Sequence, residues 1–324
     1  MNRFIPHRLR SLSVVAMASL SIIACGKGVT SEQTPAQRLA SGSSKASAGD
    51  YGGAVADFHA VVDADPNVAQ NQYLLGLAQF HNGENKAAIL SLGKAVALDP
   101  KLTDAYLVLG NAYLKQEDKR SAFLAFNEAV LNDPENPSAL YNLGVLTYHG
   151  GNYTDAAVLL EKAQRKRPDD PDIAFRLGMS RLNLGMTEDA ADSMRRTIDL
   201  SPEHAEAWLN LGSCLITQQQ IAEAHKAYAR ALELKPGWFE ALNGLGVVAQ
   251  AENNDEEALR WFKKAQAAEP DNTRVHLNLG GLYEKQKKRT EAIAEYRLFL
   301  EGWKGNSETA ESIQRKIEEL THLQ

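Results

Sequence analysis

An all-α chain made of one helix–turn–helix repeat used eight times is predicted by three observations. Proline stands at 66, 100, 134, 168, 202, 236 and 270, each 34 residues after the last. Glycine stands at 42, 76, 110, 144, 178, 212, 246 and 280, on the same spacing. Alanine keeps it too, at 54, 88, 122, 156, 190, 224, 258 and 292. Three residue types sharing one register over about 270 residues, with no insertion, point to a solenoid in which each repeat packs on its neighbours. The general size rule for 324 residues would suggest about two domains, but the repeat is the better unit of description.

The first element lies outside that register. Met1 to Arg10 carries Arg3, Arg8 and Arg10 and no acid, and Leu12 to Ala24 then runs apolar and uncharged. A basic start before a short apolar run reads as a secretory signal over residues 1–24, too short to span a bilayer, which needs roughly 20 residues. It ends Ile22-Ile23-Ala24-Cys25-Gly26, which resembles the lipobox of bacterial lipoproteins. The resemblance implies a lipid on Cys25, with an ordinary cleaved signal as the alternative. Acyl chains contribute about 0.8 kcal/mol per buried methylene and hold a soluble domain on a membrane without a spanning segment. Gly26, by the sorting rule of enteric Gram-negative lipoproteins, implies the outer membrane facing the periplasm. Residues 25–34 are then a lipidated start and tether, roughly 30 Å at full extension.

The repeats begin near 35, 69, 103, 137, 171, 205, 239 and 273 and fill 35–306. In the sixth, Trp208, Leu211, Gly212 and Leu215 fall on one face of a first helix, and Ile221, Ala224, Tyr228 and Ala231 on one face of a second. The small residues let the two helices approach closely. The recurring proline ends the second helix, because it has no amide proton and disfavours helical geometry in the residue before it. Pro35, Pro137 and Pro171 open first helices, where proline is tolerated.

The order of side chains resembles the tetratricopeptide repeat. The third repeat reads Tyr106, Leu109-Gly110, Tyr113, Ala122, Phe126, Ala129, Pro134. The eighth reads His276, Leu279-Gly280, Tyr283, Ala292, Tyr296, Phe299 and lacks the closing proline. The resemblance implies a right-handed α-solenoid, a superhelix whose first helices line a concave face.

The ends differ from the middle. The first repeat has Arg38 and Ser41 at apolar positions and a Ser-rich helix, expected to form poorly and to act as a polar end cap. Residues 307–324 offer Ala310, Ile313, Ile317 and Leu320 at helical spacing, which predicts a capping helix over the last repeat.

No enzymatic constellation is present, and neither cofactor nor metal is expected. The eight histidines form no HExxH pair, and His81 and His149 read as favourable cations near helix ends. Cys214 reads as a small core residue without a histidine partner. A formal charge of −6 argues against a nucleic-acid partner, and the basic runs Arg165–Arg167 and Lys285–Arg289 read as solvated helix ends.

What remains is a surface. By the same resemblance, positions 5, 9 and 12 of each repeat face the concave side. They are Tyr73, Leu77 and Phe80, then Leu107, Asn111 and Leu114, then Tyr141, Val145 and Tyr148. Phe175, Met179 and Leu182 follow, then Leu209, Ser213 and Ile216. Further on the row turns polar, with Asn243, Gln250 and Glu284. An apolar stripe of this kind suits an extended peptide or amphipathic helix of a partner protein. No position 5 carries lysine, so the carboxylate-clamp mode of such repeats is not expected. The expected function is a non-enzymatic scaffold, held to the bacterial envelope only through its N-terminal lipid, with no small-molecule substrate. Pilus and secretin assembly, polysaccharide export and cell-wall hydrolase complexes are the settings the resemblance implies. The alternative is a targeting or adaptor subunit of a separately encoded enzyme, such as a protein glycosyltransferase.

Overall fold

The computed structural model describes residues 33–322, so the signal expected at residues 1–24 and the lipid expected on Cys25 lie outside the described residues. Among the described residues there are 17 helices and no strand. The chain divides into two compact units, Met1–Pro168 and Asp169–Gln324.

The first unit holds α1 (Pro35–Ser47), α2 (Tyr51–Ala64), α3 (Ala69–His81), α4 (Asn85–Leu98), α5 (Thr103–Lys115), α6 (Lys119–Asn132), α7 (Pro137–His149) and α8 (Tyr153–Lys166). Each packs on the next, and α3 also touches α5. The second unit holds α9 (Pro171–Asn183), α10 (Thr187–Leu200), α11 (Ala205–Thr217), α12 (Ile221–Leu234), α13 (Phe239–Ala251), α14 (Asp255–Ala268), α15 (Thr273–Lys285), α16 (Arg289–Gly302) and α17 (Ser307–His322). These too pack in sequence, and α11 also touches α13.

The glycine grid is explained by a second grid. Sixteen residues after each repeat glycine comes a large buried side chain, among them Leu92, Phe126, Leu160, Met194, Phe262 and Tyr296. A β-carbon added at Gly110 would sit 2.5 Å from the Phe126 ring, and one at Gly280 2.5 Å from the Tyr296 ring. Position 8 is therefore the notch into which the second helix of the same repeat presses its largest group. The repeat alanine, as at Ala88, Ala122 and Ala258, is fully buried and keeps the helices at that distance.

The turn between the two helices carries a signal that the residue types conceal. Position 15 is left-handed in all eight repeats. It is glycine at 49, 83, 151 and 185, but Glu117 (φ 61°), Gln219 (φ 58°), Asn253 (φ 58°) and Lys287 (φ 60°) in the others. A side chain there is strained by roughly 1–2 kcal/mol relative to glycine, asparagine less so. Glu117→Gly is therefore expected to stabilise α5–α6 by about 1 kcal/mol, less what glycine loses in unfolded-chain entropy. A urea midpoint that fails to rise would contradict this.

The proline grid acts as expected. Each of the first seven second helices ends two residues before its proline, and the residue between is extended, as at Asp99 (φ −134°, ψ 94°) and Asp65 (φ −144°, ψ 91°). In the eighth repeat Lys304 stands in place of the proline, yet α16 also ends two residues before it, at Gly302, with Trp303 extended (φ −74°, ψ 120°), so the proline marks this end without being required for it.

Polar ties replace apolar contacts at a few buried positions. Positions 11 and 23 of one repeat face each other. Lys45 Nζ lies 2.7 Å from Asp57 Oδ2, Ser91 Oγ donates to Gln79 Oε1 at 2.8 Å, and Arg181 Nη1 donates to Ser193 Oγ at 2.8 Å. In the first repeat Ser41 Oγ adds a 2.6 Å bond to Asp57. The Lys45 and Ser41 bonds hold the Asp57 carboxyl below its usual range, although burial opposes them. The Ser-rich first helix, expected to form poorly, is a 13-residue helix with a Thr34–Gln37 capping box. Of its residues that break the apolar pattern, Ser41 is a partner of Asp57. At the other end, α17 buries Ile313, Ile317 and Leu320 in the cluster that contains Phe262 and Phe299.

Candidate functional site

The side chains at positions 5, 9 and 12 divide into two classes. In the first unit, Leu107 is 1% exposed, Tyr141 and Val145 each 2%, and Leu77 7%. Leu77 and Leu107 belong to the apolar clusters of this unit. These four are core, a correction to their expected place in a groove. In the first unit α3 touches α5, and that contact helps to cover Leu77 and Leu107 before any partner arrives. Tyr73, Phe80, Asn111, Leu114 and Tyr148 stay half-buried. Burial, followed by the nearby Asp104 charge, raises the Tyr73 hydroxyl above its usual range. Tyr148 leans on Tyr153 with ring centres 5.3 Å apart.

In the second unit none of the apolar candidates is fully buried. Phe175, Met179 and Leu182 on α9 and Leu209 and Ile216 on α11 lie half-buried against one cluster that includes Met194, Leu211 and Tyr228. They form a supported strip: each is seated on the core yet keeps an open side. The Phe175 ring rests on His204 with centres 4.5 Å apart, which fixes its orientation. Ser213, at position 9 of the same repeat, is exposed.

The polar end of the row is occupied by the protein itself. Asn243 Oδ1 accepts from Asn278 Nδ2 at 2.8 Å. Glu284 accepts from Tyr296 Oη at 2.5 Å and from Lys316 Nζ at 3.0 Å, which ties α17 to α15 and α16. Burial pushes the Glu284 carboxyl up, but these two bonds outweigh it and leave it below the usual range. Glu284 therefore anchors the cap.

Cys214 is fully buried, and burial pushes its thiol up to about 11, so it is a core residue and not a nucleophile at neutral pH. His81 and His149 are the last residues of α3 and α7. Among the described residues no group of three or more His, Cys, Asp or Glu side chains is arranged to hold a metal ion. No described helix is long and apolar enough to cross a membrane.

One contact was not foreseen from the sequence. Position 4 reaches back to the carbonyl of the preceding repeat's proline. Gln72 Nε2 donates to Pro66 O at 3.0 Å, Trp208 Nε1 to Pro202 O at 2.8 Å, and His276 Nε2 lies 2.8 Å from Pro270 O. Three residue types perform one task, which is why no motif betrays it.

The family model described as Cilia and flagella-associated protein 70 C-terminal domain matches residues 12–241. Two tetratricopeptide-repeat models match residues 215–273 and 273–301. No curated protein matches the chain in sequence. Among solved structures, YrrB, described as a tetratricopeptide-repeat protein with an unusual peptide-binding site, is 24% identical at a TM-score of 0.54, covering 60% of this chain and 97% of YrrB. The C-terminal part of a repeat protein from Cytophaga hutchinsonii is 16% identical at a TM-score of 0.58, covering 74% of this chain and 99% of that one. PilF of Pseudomonas aeruginosa is 18% identical at a TM-score of 0.53, covering 68% and 97%. These three are likenesses of fold. With its repeat register, notched glycines and helix pairs, the chain belongs to the family of the cilia and flagella-associated protein 70 C-terminal domain, a family of tetratricopeptide repeats.

Proposed function

We propose that the chain is a non-enzymatic scaffold that holds an extended peptide or amphipathic helix of a partner protein. The observation that carries this reading is the supported strip of Phe175, Met179, Leu182, Leu209 and Ile216, five apolar side chains on two adjacent first helices, none fully buried. Apolar groups seated on a core lose little side-chain entropy when a partner covers them, so their burial goes into affinity. In the first unit, Phe80, Leu114 and Tyr148 make a similar row at position 12.

We place this scaffold on the bacterial envelope through a lipid on Cys25, on the strength of the Ile22-Ile23-Ala24-Cys25 sequence. Assembly of a pilus or secretin, a polysaccharide-export machine or a cell-wall hydrolase complex is the proposed setting, at the outer membrane facing the periplasm. The test is affinity capture from detergent-solubilised envelope with the native chain and with a Phe175→Ala, Met179→Ala, Ile216→Ala variant. Partner recovery is expected to fall at least about tenfold, the ratio that 1.4 kcal/mol of lost contact produces. Tyr141 is unsuitable for this test, because truncating a buried ring would damage the fold. Unchanged recovery at unchanged helical content would sink the binding strip, and undiminished incorporation of labelled fatty acid by a Cys25→Ser chain would sink the anchor.

A further inference from the structure

A second surface lies on the second helices of the first unit. Position 22 is Leu90 on α4, Leu124 on α6 and Val158 on α8, and these are 69%, 57% and 48% exposed. Leu131 on α6 is 64% exposed, one further turn pair along the same helix face. In the second unit the same position carries Asp192, Lys226, Arg260 and Ala294. The apolar row is therefore not a requirement of the repeat. Phe123 and Val158 line the two sides of one cleft whose floor includes Leu143 and Leu146, so the α6 and α8 parts of the row adjoin.

The charges around the row differ from those of the whole chain. On the three helices themselves stand Lys86, Lys94, Arg120, Lys162 and Arg165, all exposed, against Glu128, Asp155 and Glu161, while Glu84, Glu117 and Asp118 lie in the turns before α4 and α6. Among the described residues none of the five basic side chains is engaged in an ion pair. A basic excess on the three helices that carry the apolar row, on a chain of net charge −6, complements a surface that is anionic outside and apolar just beneath.

We propose that this face of α4, α6 and α8 docks the protein on an anionic lipid surface, with Leu90, Leu124 and Val158 entering the headgroup region and the five basic groups meeting lipid phosphates. This goes beyond the groove, which uses first helices, and beyond a lipid on Cys25, which it does not require. The face lies in the unit that follows Cys25 in the chain, where an anchor and a docking face can act together.

The test removes the anchor. The full chain carrying Cys25→Ser is mixed with vesicles of phosphatidylcholine plus phosphatidylglycerol, or of phosphatidylcholine alone, and sedimented. Preference for the anionic vesicles is expected, weakening as salt rises. A Leu90→Ser, Leu124→Ser, Val158→Ser variant and, separately, a Lys86→Glu, Lys94→Glu, Lys162→Glu variant are each expected to lower binding at least about tenfold. Lys226→Glu with Arg260→Glu in the second unit is expected to leave it unchanged. All variants keep the same N-terminal segment, so its contribution cancels. Equal binding to both vesicle types, or full binding by both first-unit variants, overturns the proposal. So does loss of a protein from envelope capture with vesicle binding intact, which would assign the face to a protein partner instead.

Discussion

Replacing Glu295 with alanine is expected to loosen the last two repeats by about 3–5 kcal/mol, the cost of stripping one partner from a buried charged pair. Glu295 is 7% exposed and His276 4%. Glu295 Oε2 lies 2.6 Å from His276 Nδ1, Gln266 Nε2 donates to both carboxylate oxygens at 3.2 and 3.3 Å, and Lys263 Nζ stands at 3.3 Å. The Pro270 carbonyl can only accept, so His276 Nε2 carries a proton and Nδ1 is left to share one with Glu295. Removing the carboxylate takes the partner from the buried ring and the acceptor from Gln266 Nε2, while Lys263, 45% exposed, keeps water and Gln266 Oε1 at 2.9 Å. Repeat arrays need not unfold in one step, so the readout is local. Hydrogen exchange in α15 and α17 should rise strongly while α9 and α10 change little. A loss smaller than about 1 kcal/mol would show that the four groups do not act as a unit. Changing His276 and Glu295 to leucine together is expected to cost much less than either alone, since no buried charge is then left without a partner.

Phe126→Ala is expected to cost about 3–5 kcal/mol, from lost burial and from the cavity left above Gly110. Phe126 is fully buried and belongs to the cluster formed by Leu107, Ala122, Ala129 and Leu143. Denaturant unfolding with a helical readout measures it, and a cost below about 1 kcal/mol would mean that the neighbouring repeats collapse into the space. Phe126→Leu should cost distinctly less, because Leu92 and Leu160 fill the same place in the second and fourth repeats. The notch explains why Gly110 persists in mid-helix. Alanine would gain about 1 kcal/mol of helix propensity, but the 2.5 Å approach to Phe126 demands a shift costing about 1–3 kcal/mol. The second effect wins, so glycine stays.

The repeat register was legible because it is written in residues with few substitutes. A notch needs glycine, a close helix contact needs alanine, and a stop before an extended residue favours proline. The cap was legible for a similar reason, since Ile313, Ile317 and Leu320 fall on one helical face and are buried together. Where several residue types can do one job, the signal vanished. Position 15 is left-handed in every repeat, yet Glu117, Gln219, Asn253 and Lys287 hide it among the glycines. Gln72, Trp208 and His276 all reach the same proline carbonyl and share no motif.

The proposed binding strip was half legible. Its register positions could be counted from the repeat, and Phe175, Met179, Leu182, Leu209 and Ile216 stand where counting put them, half-buried on α9 and α11. Which of the counted residues remain reachable depended on packing: Leu77, Leu107, Tyr141 and Val145 are consumed by the core, and Asn243 and Glu284 are already bonded within the protein. Period and register follow from local chemistry, which recurs identically every 34 residues and so belongs to the sequence alone. Exposure is set by the neighbours that each repeat meets, and those contacts arise only once the helices have packed.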